Sequence, residues 1–595
     1  MRSLRPLTHF LRPYLLWVAL GPAFMALEVA ADLMQPRLLQ RIVDVGIARS
    51  DFDTVQHTGL LMLLLALFGV FAGGACTVFA TLAAQNFGAD VRRALFAKVL
   101  SFSFGNLDHL ESGALITRLT NDVNQVQEVV LLLLRVMVRV PLLLVGSLIL
   151  AVLTSPRLAL LFIPLIPFVV VVLVWIIQKT YPLFALVQKR LDALNTVVQE
   201  NLSGVRVVKA FAREDREAGR FGGANTQLMD TNIAAARLGA LTMPLMMMAL
   251  NAGVVATLWL GGVRVIGGEM EVGRIIAFVN YLTQTLMSLM MVSMLIVRLS
   301  RAEASGVRIG DILNTRPLIE PPANARVPDT VAGRVEFEKV SFFYEGEGDP
   351  ALKEISFVAQ PGQTIAVVGA TGSGKSTLVS LIPRFYDATK GRVTLDGVDV
   401  RNWEESALHG AVGVALQEAI LFSGTIRDTI RYGKPAATDA EVVGAARLAQ
   451  AQEFIDRLAD GYDTRVEARG VNLSGGQKQR LAIARALLPH PQVLILDDST
   501  SAVDVATEAR IRQALAQDTT NQTRFIVAQR VSAIRDADLI LVLDDGCLVG
   551  QGTHEELMES NPVYREIYES QQESADANAE MEVNRHVAQA HFPGN

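Results

Sequence analysis

Six long apolar runs in the first half of the chain constrain its fold more than any other feature. A helix needs about 20 predominantly apolar residues to cross a bilayer, and each run is close to that length or longer. The runs are Tyr14 to Met34, Gly59 to Ala84, Val129 to Leu153, Leu158 to Ile177, Leu238 to Gly261 and Arg274 to Leu299. The whole chain is 51% hydrophobic and only 19% charged, which is too apolar for an ordinary soluble protein. We therefore predict an α-helical membrane domain with six transmembrane helices over residues 1–313.

The distribution of basic residues predicts how these helices are oriented. The long polar segments between the second and third runs, and between the fourth and fifth, carry many arginines and lysines. Such segments favour the cytoplasmic side of a membrane. An even number of spans places both termini on that side as well. Met1 to Pro13 is basic and amphipathic, so we expect it to lie on the inner membrane surface rather than to be a cleavable signal. The prediction is an integral protein of the cytoplasmic membrane, with both termini inside.

A glycine-rich loop marks a different kind of domain in the second half. The apolar stretch Thr364 to Val368 predicts a buried strand, and Leu378 to Ile382 predicts a helix. Between them lies the full pattern of a phosphate-binding loop, in the strand–loop–helix context that the pattern requires. The loop consists of Gly369, Ala370, Thr371, Gly372, Ser373, Gly374, Lys375, Ser376 and Thr377.

Each residue type in this loop suits the binding of a nucleoside triphosphate. The glycines let the backbone turn successive N–H groups toward phosphate oxygens. Lys375 supplies a positive charge near the outer phosphates, and the Ser376 hydroxyl is placed to ligate Mg²⁺ at the start of a helix. Val493 to Asp497 is a short apolar run closed by a carboxylate, which indicates a buried parallel strand. Asp497 is expected to hold the magnesium ion through water. ATP and Mg²⁺ are the predicted ligands.

These motifs, with others in the same order, resemble the nucleotide-binding domain of an ATP-binding cassette (ABC) transporter. Leu473 to Gln477 matches the signature of that family, and Ser501 to Asp504 resembles its D-loop. The resemblance implies that Gln417 is the Q-loop glutamine near the metal and that Tyr344 stacks on adenine. It also implies that the signature faces the γ-phosphate of ATP held by a second such domain. The implied signature contacts are Ser474, Gly475, Gly476 and Gln477.

Two positions depart from the family pattern. Asp498 stands where the family usually has a glutamate that activates the attacking water, and a misplacement on the order of 1 Å can cost about a hundredfold in rate. Gln529 stands where the family has a switch histidine, and an amide cannot carry the imidazolium charge. Together they predict a site that binds ATP but hydrolyses it slowly. The alternative is that Asp498 reaches through an additional water and that Gln529 substitutes adequately for the histidine.

An intact signature beside a weakened site predicts one half of a heterodimer, because the signature serves the phosphate loop of another chain. The expected partner is a second ABC half-transporter. By resemblance, the substrate is a hydrophobic or amphipathic small molecule, a drug or lipid, moved across the membrane by alternating access. The alternatives are a homodimeric lipid or peptide exporter with slow ATPase, and an ATP-gated conduit or sensor; import is not excluded. The net charge of −6 gives no indication of nucleic-acid binding.

Two acidic residues in the first apolar run are candidate substrate contacts. Glu28 and Asp32 are four residues apart, so both project from one helix face. Ionisable groups at membrane depth are costly and normally face a bundle interior or a wet cavity. They either recognise cationic substrates or are neutralised by another helix. Arg135 and Arg139 in the third run likewise share a face, for which snorkelling or internal pairing is expected.

The remaining segments complete the expected organisation. By resemblance, short coupling helices form around Asn106 to Ser112 and around Gly204 to Phe211. Residues 314–332, rich in proline, are the expected linker to an α/β P-loop nucleotide-binding domain over 333–571. The polar tail 572–595 is predicted to be disordered. The only cysteines, Cys76 and Cys547, lie in different domains, so neither a disulfide scaffold nor a metal cluster is predicted.

Overall fold

A computed structural model of the chain describes residues 5–322, 324–344, 348–517, 521–528 and 534–570, without the side chains of 292–298 and 300. The chain divides into two compact units. The first contains the chain up to Leu100 together with Ser112–Thr315. The second contains Ser101–Glu111 and the chain from Arg316 onward. The short segment 101–111 is therefore separated from its sequence neighbours and belongs to the later unit.

The first half of the chain is helical. Its α-helices are α1 (Leu15–Arg41), α2 (Phe52–Leu100), α3 (Phe104–Asp108), α4 (Ser112–Thr117), α5 (Val123–Thr154), α6 (Pro156–Ala159), α7 (Phe162–Ser203), α8 (Val205–Ala210), α9 (Glu214–Ala240), α10 (Thr242–Ile266) and α11 (Val272–Asn314). A 3₁₀ helix precedes α1, and π-helical turns follow α1 and precede α5. Only α3 lies in the second unit.

Five helical stretches of the described residues are long and apolar enough to cross a membrane. They are Pro6–Ile47, Phe52–Leu100, Ser112–Thr154, Pro156–Ser203 and Glu214–Ile266. These stretches contain the first five runs predicted from the sequence. The sixth run lies within α11, where several side chains fall outside the description. The count of six transmembrane helices therefore stays a prediction.

Small residues and a satisfied tyrosine hold the helices of the first unit together. Gly253 of α10 faces Leu165 of α7, and a Cβ on Gly253 would lie only 2.9 Å from Leu165 Cδ1. Such close approach strengthens packing between helices in a bilayer. Tyr281 of α11 is fully buried, and its hydroxyl donates to the Leu33 carbonyl of α1 at 2.9 Å. The tyrosine thus fills the core without leaving a polar atom unsatisfied.

In its described residues, the second unit combines three sheets with short helices. Its strands are β1 (Val335–Phe342), β2 (Leu352–Ala359), β3 (Thr364–Gly369), β4 (Lys390–Leu395), β5 (Val398–Asp399), β6 (Val412–Ala415), β7 (Gly424–Thr425), β8 (Arg465–Val466), β9 (Val493–Asp497), β10 (Thr523–Val527), β11 (Leu539–Asp544) and β12 (Cys547–Gly552). Its remaining helices are α12 (Lys375–Ser380), α13 (Glu405–Ala411), α14 (Ile426–Arg431), α15 (Asp439–Leu448), α16 (Gln452–Ile455), α17 (Gly475–Leu487), α18 (Val505–Gln517), α19 (His554–Ser560) and a helical stretch over 562–570.

The topology of the central sheet brings the sequence motifs of the nucleotide site to one edge. Its strand order is β12-β11-β3-β10-β9-β6, and all neighbours except the β11–β12 pair are parallel. Strand β9 is buried along its whole length, as its apolar sequence predicts. Parallel strands present their carboxyl ends together, and ligands bind there in open α/β sheets. The segments after β3, β10, β9 and β6 consequently emerge side by side.

Candidate nucleotide-binding site

The glycine-rich loop connects β3 to α12 through backbone conformations that suit glycine. Gly372 has φ +88° and Gly374 has φ +96°, in the left-handed region that side chains with a Cβ rarely adopt. At Gly374 a Cβ would also lie 2.6 Å from the Ala351 carbonyl oxygen. The loop therefore needs glycine at this position for both torsional and steric reasons. Helix α12 begins directly at Lys375, so its N-terminal N–H groups face the loop.

Lys375 and the two side-chain oxygens expected to bind Mg²⁺, from Ser376 and Asp497, lie together at the N-terminus of α12. Lys375 Nζ donates to the carbonyls of Gly369 at 2.9 Å and Ala370 at 2.7 Å. Burial lowers the pKa of Lys375, against the opposing charges of Asp497 and Asp498. The Ser376 hydroxyl donates to Asp497 Oδ1 at 2.9 Å, although 121 residues separate them in sequence. Burial raises the pKa of Asp497, while Ser376 and Lys375 oppose that rise.

The Ser376 hydroxyl and the Asp497 carboxylate fit Mg²⁺ bound with a nucleoside triphosphate. A hydroxyl and a carboxylate oxygen lie within hydrogen-bond distance of each other, which is the hard oxygen chemistry that Mg²⁺ prefers. Ser373, Thr371 and Thr377 complete the loop, and the Ser373 hydroxyl is buried without a hydrogen-bond partner among the described residues. A buried polar atom of this kind normally acquires a partner. Phosphate oxygens bound in the loop would provide one.

Asp498 directly follows Asp497, the residue expected to bind the metal, and has an unusual backbone conformation. Its φ is +46°, and its N–H donates to the Val527 carbonyl at 3.0 Å, at the end of β10. Short polar side chains tolerate this left-handed conformation better than longer ones. Burial and the adjacent Asp497 charge raise the pKa of Asp498, and a hydrogen bond from Gln417 opposes the rise. That hydrogen bond, from Gln417 Nε2 to Asp498 Oδ2, is long at 3.4 Å.

The other predicted nucleotide contacts fall in two classes. Gln417 lies just after β6, so it reaches the carboxylates from the neighbouring strand. Tyr344 is 47% exposed, and its hydroxyl lies 3.0 Å from the Thr377 hydroxyl at the end of the phosphate loop. This places an aromatic ring beside the loop, where a base could stack on it. Gln529 lies outside the described residues.

The signature residues form the N-terminus of α17. Ser474 and Gln477 make a capping box: Ser474 N–H donates to Gln477 Oε1 at 2.8 Å, and Gln477 N–H donates to Ser474 Oγ at 3.3 Å. Gln477 therefore holds the helix start in shape. Gly475 and Gly476 pack against Ala502 of the D-loop, and a Cβ on Gly476 would lie 2.8 Å from its carbonyl oxygen. The helix N-terminus keeps N–H groups available for an anion.

The structure also reveals a contact that motif matching missed. Gln479, in the second turn of α17, is buried and hydrogen-bonded to both Ser501 and Ala502. A polar residue on the buried face of a helix was the available signal, because such groups need partners. The partner segment could not be named from sequence alone.

In the first unit, the two candidate substrate carboxylates share one arginine. Arg139 of α5 donates from Nη2 to Asp32 Oδ2 at 2.9 Å and forms an ion pair with Glu28. A Cβ on Gly73 of α2 would lie 2.8 Å from a Glu28 carboxylate oxygen, so glycine leaves room for this group. The arrangement is the neutralised pair that was one of the two expectations for these residues.

The segment containing α3 is fastened to the nucleotide-binding unit. The Phe104 ring stacks on Phe385 with centroids 4.3 Å apart, and the Tyr386 hydroxyl donates to Asp108 at 2.8 Å. Asn106 donates to the Arg316 carbonyl at 3.1 Å. In the first unit, α8 carries no buried residue; Val207 within it and Phe211 directly after it are largely exposed.

Comparison with known proteins identifies the family. Residues 18–289 match the ABC transporter transmembrane region, and residues 352–501 match the ABC transporter domain. The chain is 42% identical over 562 residues to the uncharacterized ABC transporter ATP-binding protein YfiB of Bacillus subtilis (strain 168), covering 94% of this chain and 97% of that one. The chain belongs to the ABC transporter family. This ABC transporter chain is also 36% identical over 517 residues to the fatty acid ABC transporter ATP-binding/permease protein of Mycobacterium tuberculosis (strain CDC 1551 / Oshkosh), covering 87% and 82% of the two chains.

The family assignment confirms the predicted fold class and type of activity. This ABC transporter carries an α-helical membrane domain followed by an α/β nucleotide-binding domain on one chain, as an exporter half-transporter does. It is an integral membrane protein and an ATP-binding ATPase coupled to transport.

Proposed function

We propose that this chain is the ATP-binding subunit of a heterodimeric ABC exporter. Its own phosphate loop binds ATP with Mg²⁺ but supports slow hydrolysis, and its signature completes the active ATP site of a second half-transporter. The substrate is a hydrophobic or amphipathic small molecule that moves by alternating access. The nucleotide-binding domain and both termini face the cytoplasm.

The single observation that supports slow hydrolysis at this site is the presence of aspartate at position 498. It stands beside Asp497 at the end of β9, where a general base would orient water, but its side chain is one methylene shorter than glutamate. Asp498 is 8% exposed, and its Oδ2 accepts a long hydrogen bond of 3.4 Å from Gln417 Nε2, which follows the neighbouring strand. A displacement of roughly one C–C bond is large on the scale of catalytic alignment, where about 1 Å can cost about a hundredfold.

The rest of the site supports tight binding. Lys375 would neutralise phosphate charge, and Ser376 and Asp497, with Gln417 nearby, would hold Mg²⁺. When bound, the metal stabilises charge on the transferring phosphoryl oxygens. Tyr344 would stack on the adenine. The hydrogen bonds of Lys375 and Ser376 do not involve the Asp498 side chain, so binding and hydrolysis can be affected separately.

The substrate class follows from family membership and from one relative. The fatty acid transporter of Mycobacterium tuberculosis is named for an amphipathic molecule. In this chain, methionines of α10 and α11 face each other with Val169 and Leu250 around a cavity of only about 10 Å³. The tight packing at this point supports helix packing, one of two roles open to these methionines, over an open substrate pocket.

The test compares the chain alone with the complete transporter in lipid nanodiscs. The full chain, and the complex isolated from native membranes through a tag on this chain, are assayed for ATP binding and for phosphate release. We expect Lys375-dependent ATP binding by the chain alone, with hydrolysis about a hundredfold slower than that of the complex. Asp498→Glu combined with Gln529→His should raise hydrolysis by the chain alone.

The matched control is Asp498→Gln with Gln529→His, which restores side-chain length but supplies no carboxylate. It should give no gain in hydrolysis. Brisk turnover by the unmodified chain alone, abolished by Lys375→Ala, would instead establish the homodimeric exporter. Passive flux with a bound ATP analogue, without uphill accumulation, would establish the ATP-gated conduit.

A further inference from the structure

A buried glutamine joins the signature helix to the segment that follows Asp498. Gln479 of α17 is only 5% exposed. Its Nε2 donates to Ser501 Oγ at 3.1 Å, and its Oε1 accepts from the Ala502 N–H at 2.8 Å. Both ends of the amide are therefore satisfied by two consecutive residues of the D-loop. Because leaving a buried amide unsatisfied is costly, this pair of bonds fixes the D-loop against the helix.

The connection continues from the D-loop to Asp498 itself. The Ser501 hydroxyl accepts from Gln479 and donates to the Asp498 carbonyl oxygen at 2.9 Å. The Ser501 N–H approaches the same carbonyl at 3.3 Å. At the start of the helix, Gly476 packs directly on the Ala502 backbone. An unbroken chain of hydrogen bonds thus runs from the signature helix to the backbone of the residue in the general-base position.

We propose that Gln479 is a positioning residue that couples the two ATP sites of the transporter. The inference depends on the proposed two-chain arrangement, in which Ser474 faces ATP held by the partner while Asp498 faces ATP held by this chain. Gln479 touches neither nucleotide. When α17 contacts the γ-phosphate of the ATP held by the partner, any shift of the helix is transmitted through Ser501 to Asp498. By thermodynamic linkage, ATP bound at this chain's own site affects the partner's site to the same extent.

Hydrogen exchange measures this coupling directly in the complete transporter. The complex is isolated through a tag on this chain, placed in nanodiscs, and compared without nucleotide and with a non-hydrolysable ATP analogue plus Mg²⁺. In the wild type, we expect slower amide exchange over both 473–480 and 498–504. Gln479→Met keeps the length and volume of the side chain but removes both bonds. In this variant, exchange should slow over 473–480 but no longer over 498–504.

The matched control is Gln522→Met. Gln522 is also buried, at 4% exposure, and donates to the Pro491 carbonyl at 2.7 Å, away from the D-loop. Gln522→Met removes one side-chain hydrogen bond, against two in Gln479→Met, and should respond to nucleotide as the wild type does. Ser501→Ala should reproduce the effect of Gln479→Met, whereas Ser501→Thr keeps the hydroxyl and should not. The serine is exposed, so its variants test the link even where Gln479→Met fails to fold.

Steady-state kinetics test positioning when kcat is calculated from the concentration of transporter that binds ATP, because a loss of folded protein also lowers the apparent kcat without changing KM. In the chain carrying Asp498→Glu and Gln529→His, whose own site is expected to hydrolyse ATP, Gln479→Met should lower kcat about tenfold. It should change the KM for ATP by less than about twofold, because the phosphate loop is untouched. The double variant with Ser501→Ala should be no slower than Gln479→Met alone, since both remove one link.

The outcomes separate this inference from the proposed function. Slowed exchange over 473–480 together with equal slowing over 498–504 in Gln479→Met would overturn the coupling and leave the two-chain ATP site standing. No slowing over 473–480 in the wild type would overturn the two-chain site, and the coupling with it. A Gln522→Met variant that behaves like Gln479→Met would reduce Gln479 to a general stabilising residue.

Discussion

Asn106 offers a quantitative test of how α3 is fastened to the nucleotide-binding unit. Its side chain is 8% exposed, its Nδ2 donates to the Arg316 carbonyl at 3.1 Å, and its Oδ1 accepts from the Leu318 N–H at 3.0 Å. The same oxygen accepts from the Ser103 hydroxyl at 2.7 Å. One amide therefore joins the helix to the beginning of the segment that leads into the nucleotide-binding fold.

The magnitude follows from the two bonds to the main chain. Each intramolecular hydrogen bond contributes about 1 kcal/mol, so Asn106→Ala should weaken the attachment of 101–111 by roughly 2 kcal/mol. Local opening would then be about 30-fold more frequent, since about 1.4 kcal/mol corresponds to a factor of ten. Arg316 and Leu318 are both exposed, so water can satisfy the freed main-chain groups and the figure is an upper bound.

Amide exchange of the purified full chain measures that opening at the Leu318 N–H and over 101–111. Asn561→Ala is a closely matched control. Asn561 is also 8% exposed, donates to the Val549 carbonyl at 2.9 Å and accepts from the Tyr564 N–H at 2.9 Å. The Asn561→Ala substitution also removes two side-chain hydrogen bonds to the main chain, but far from Asn106 in the sequence. It should therefore accelerate amide exchange near Tyr564 and leave exchange over 101–111 unchanged.

Two results would refute the reasoning. Unchanged exchange at Leu318 in Asn106→Ala would show that the stacking of Phe104 and the Tyr386 hydrogen bond hold the segment without the amide. Equal acceleration over 101–111 in Asn561→Ala would show that the domain as a whole, rather than the attachment, had been weakened.

Two further predictions concern the phosphate loop and the membrane charges. Gly374→Ala should weaken ATP binding at least about tenfold in equilibrium titration, because the added Cβ meets the Ala351 carbonyl at a left-handed φ. Unaltered affinity would contradict this. Arg139→Met should lower the free energy of unfolding in nanodiscs by roughly 2 kcal/mol, less than for a fully buried pair because Arg139 is 34% exposed. Adding Glu28→Gln and Asp32→Asn should restore the thermal midpoint, and no recovery would argue against charge compensation.

Local patterns predicted the parts of the site that are contiguous in sequence. The loop ending at Thr377 and the carboxylate ending β9 each follow from a strand and its immediate continuation, so their spacing alone identifies them. The meeting of Ser376 with Asp497 could also be expected, because parallel strands end at one edge of a sheet. These features depend on strand direction and local turns, which short segments largely specify.

Features that depend on how helices pack were not predictable in the same way. The sequence placed Glu28 with Asp32 and Arg135 with Arg139, each pair on its own helix face, but only the packing of α1 against α5 selects Arg139 as the shared partner. The link from Gln479 to Ser501 likewise depends on the rotation of α17, which buries one polar side chain toward the D-loop. Conformational strain at Asp498 is equally invisible in a one-dimensional pattern.

That strain leads to a last prediction, which sets activity against stability. Asp498 has φ +46°, a conformation in which a short polar side chain is better tolerated than the longer glutamate. Asp498→Glu should therefore raise hydrolysis while lowering the free energy of unfolding by up to about 1 kcal/mol. Asp545, an exposed turn residue with φ +41°, supplies the control, because Asp545→Glu should show a similar loss of stability with no change in hydrolysis. If Asp498→Glu were more active and no less stable in thermal unfolding, backbone strain would not account for aspartate at this position.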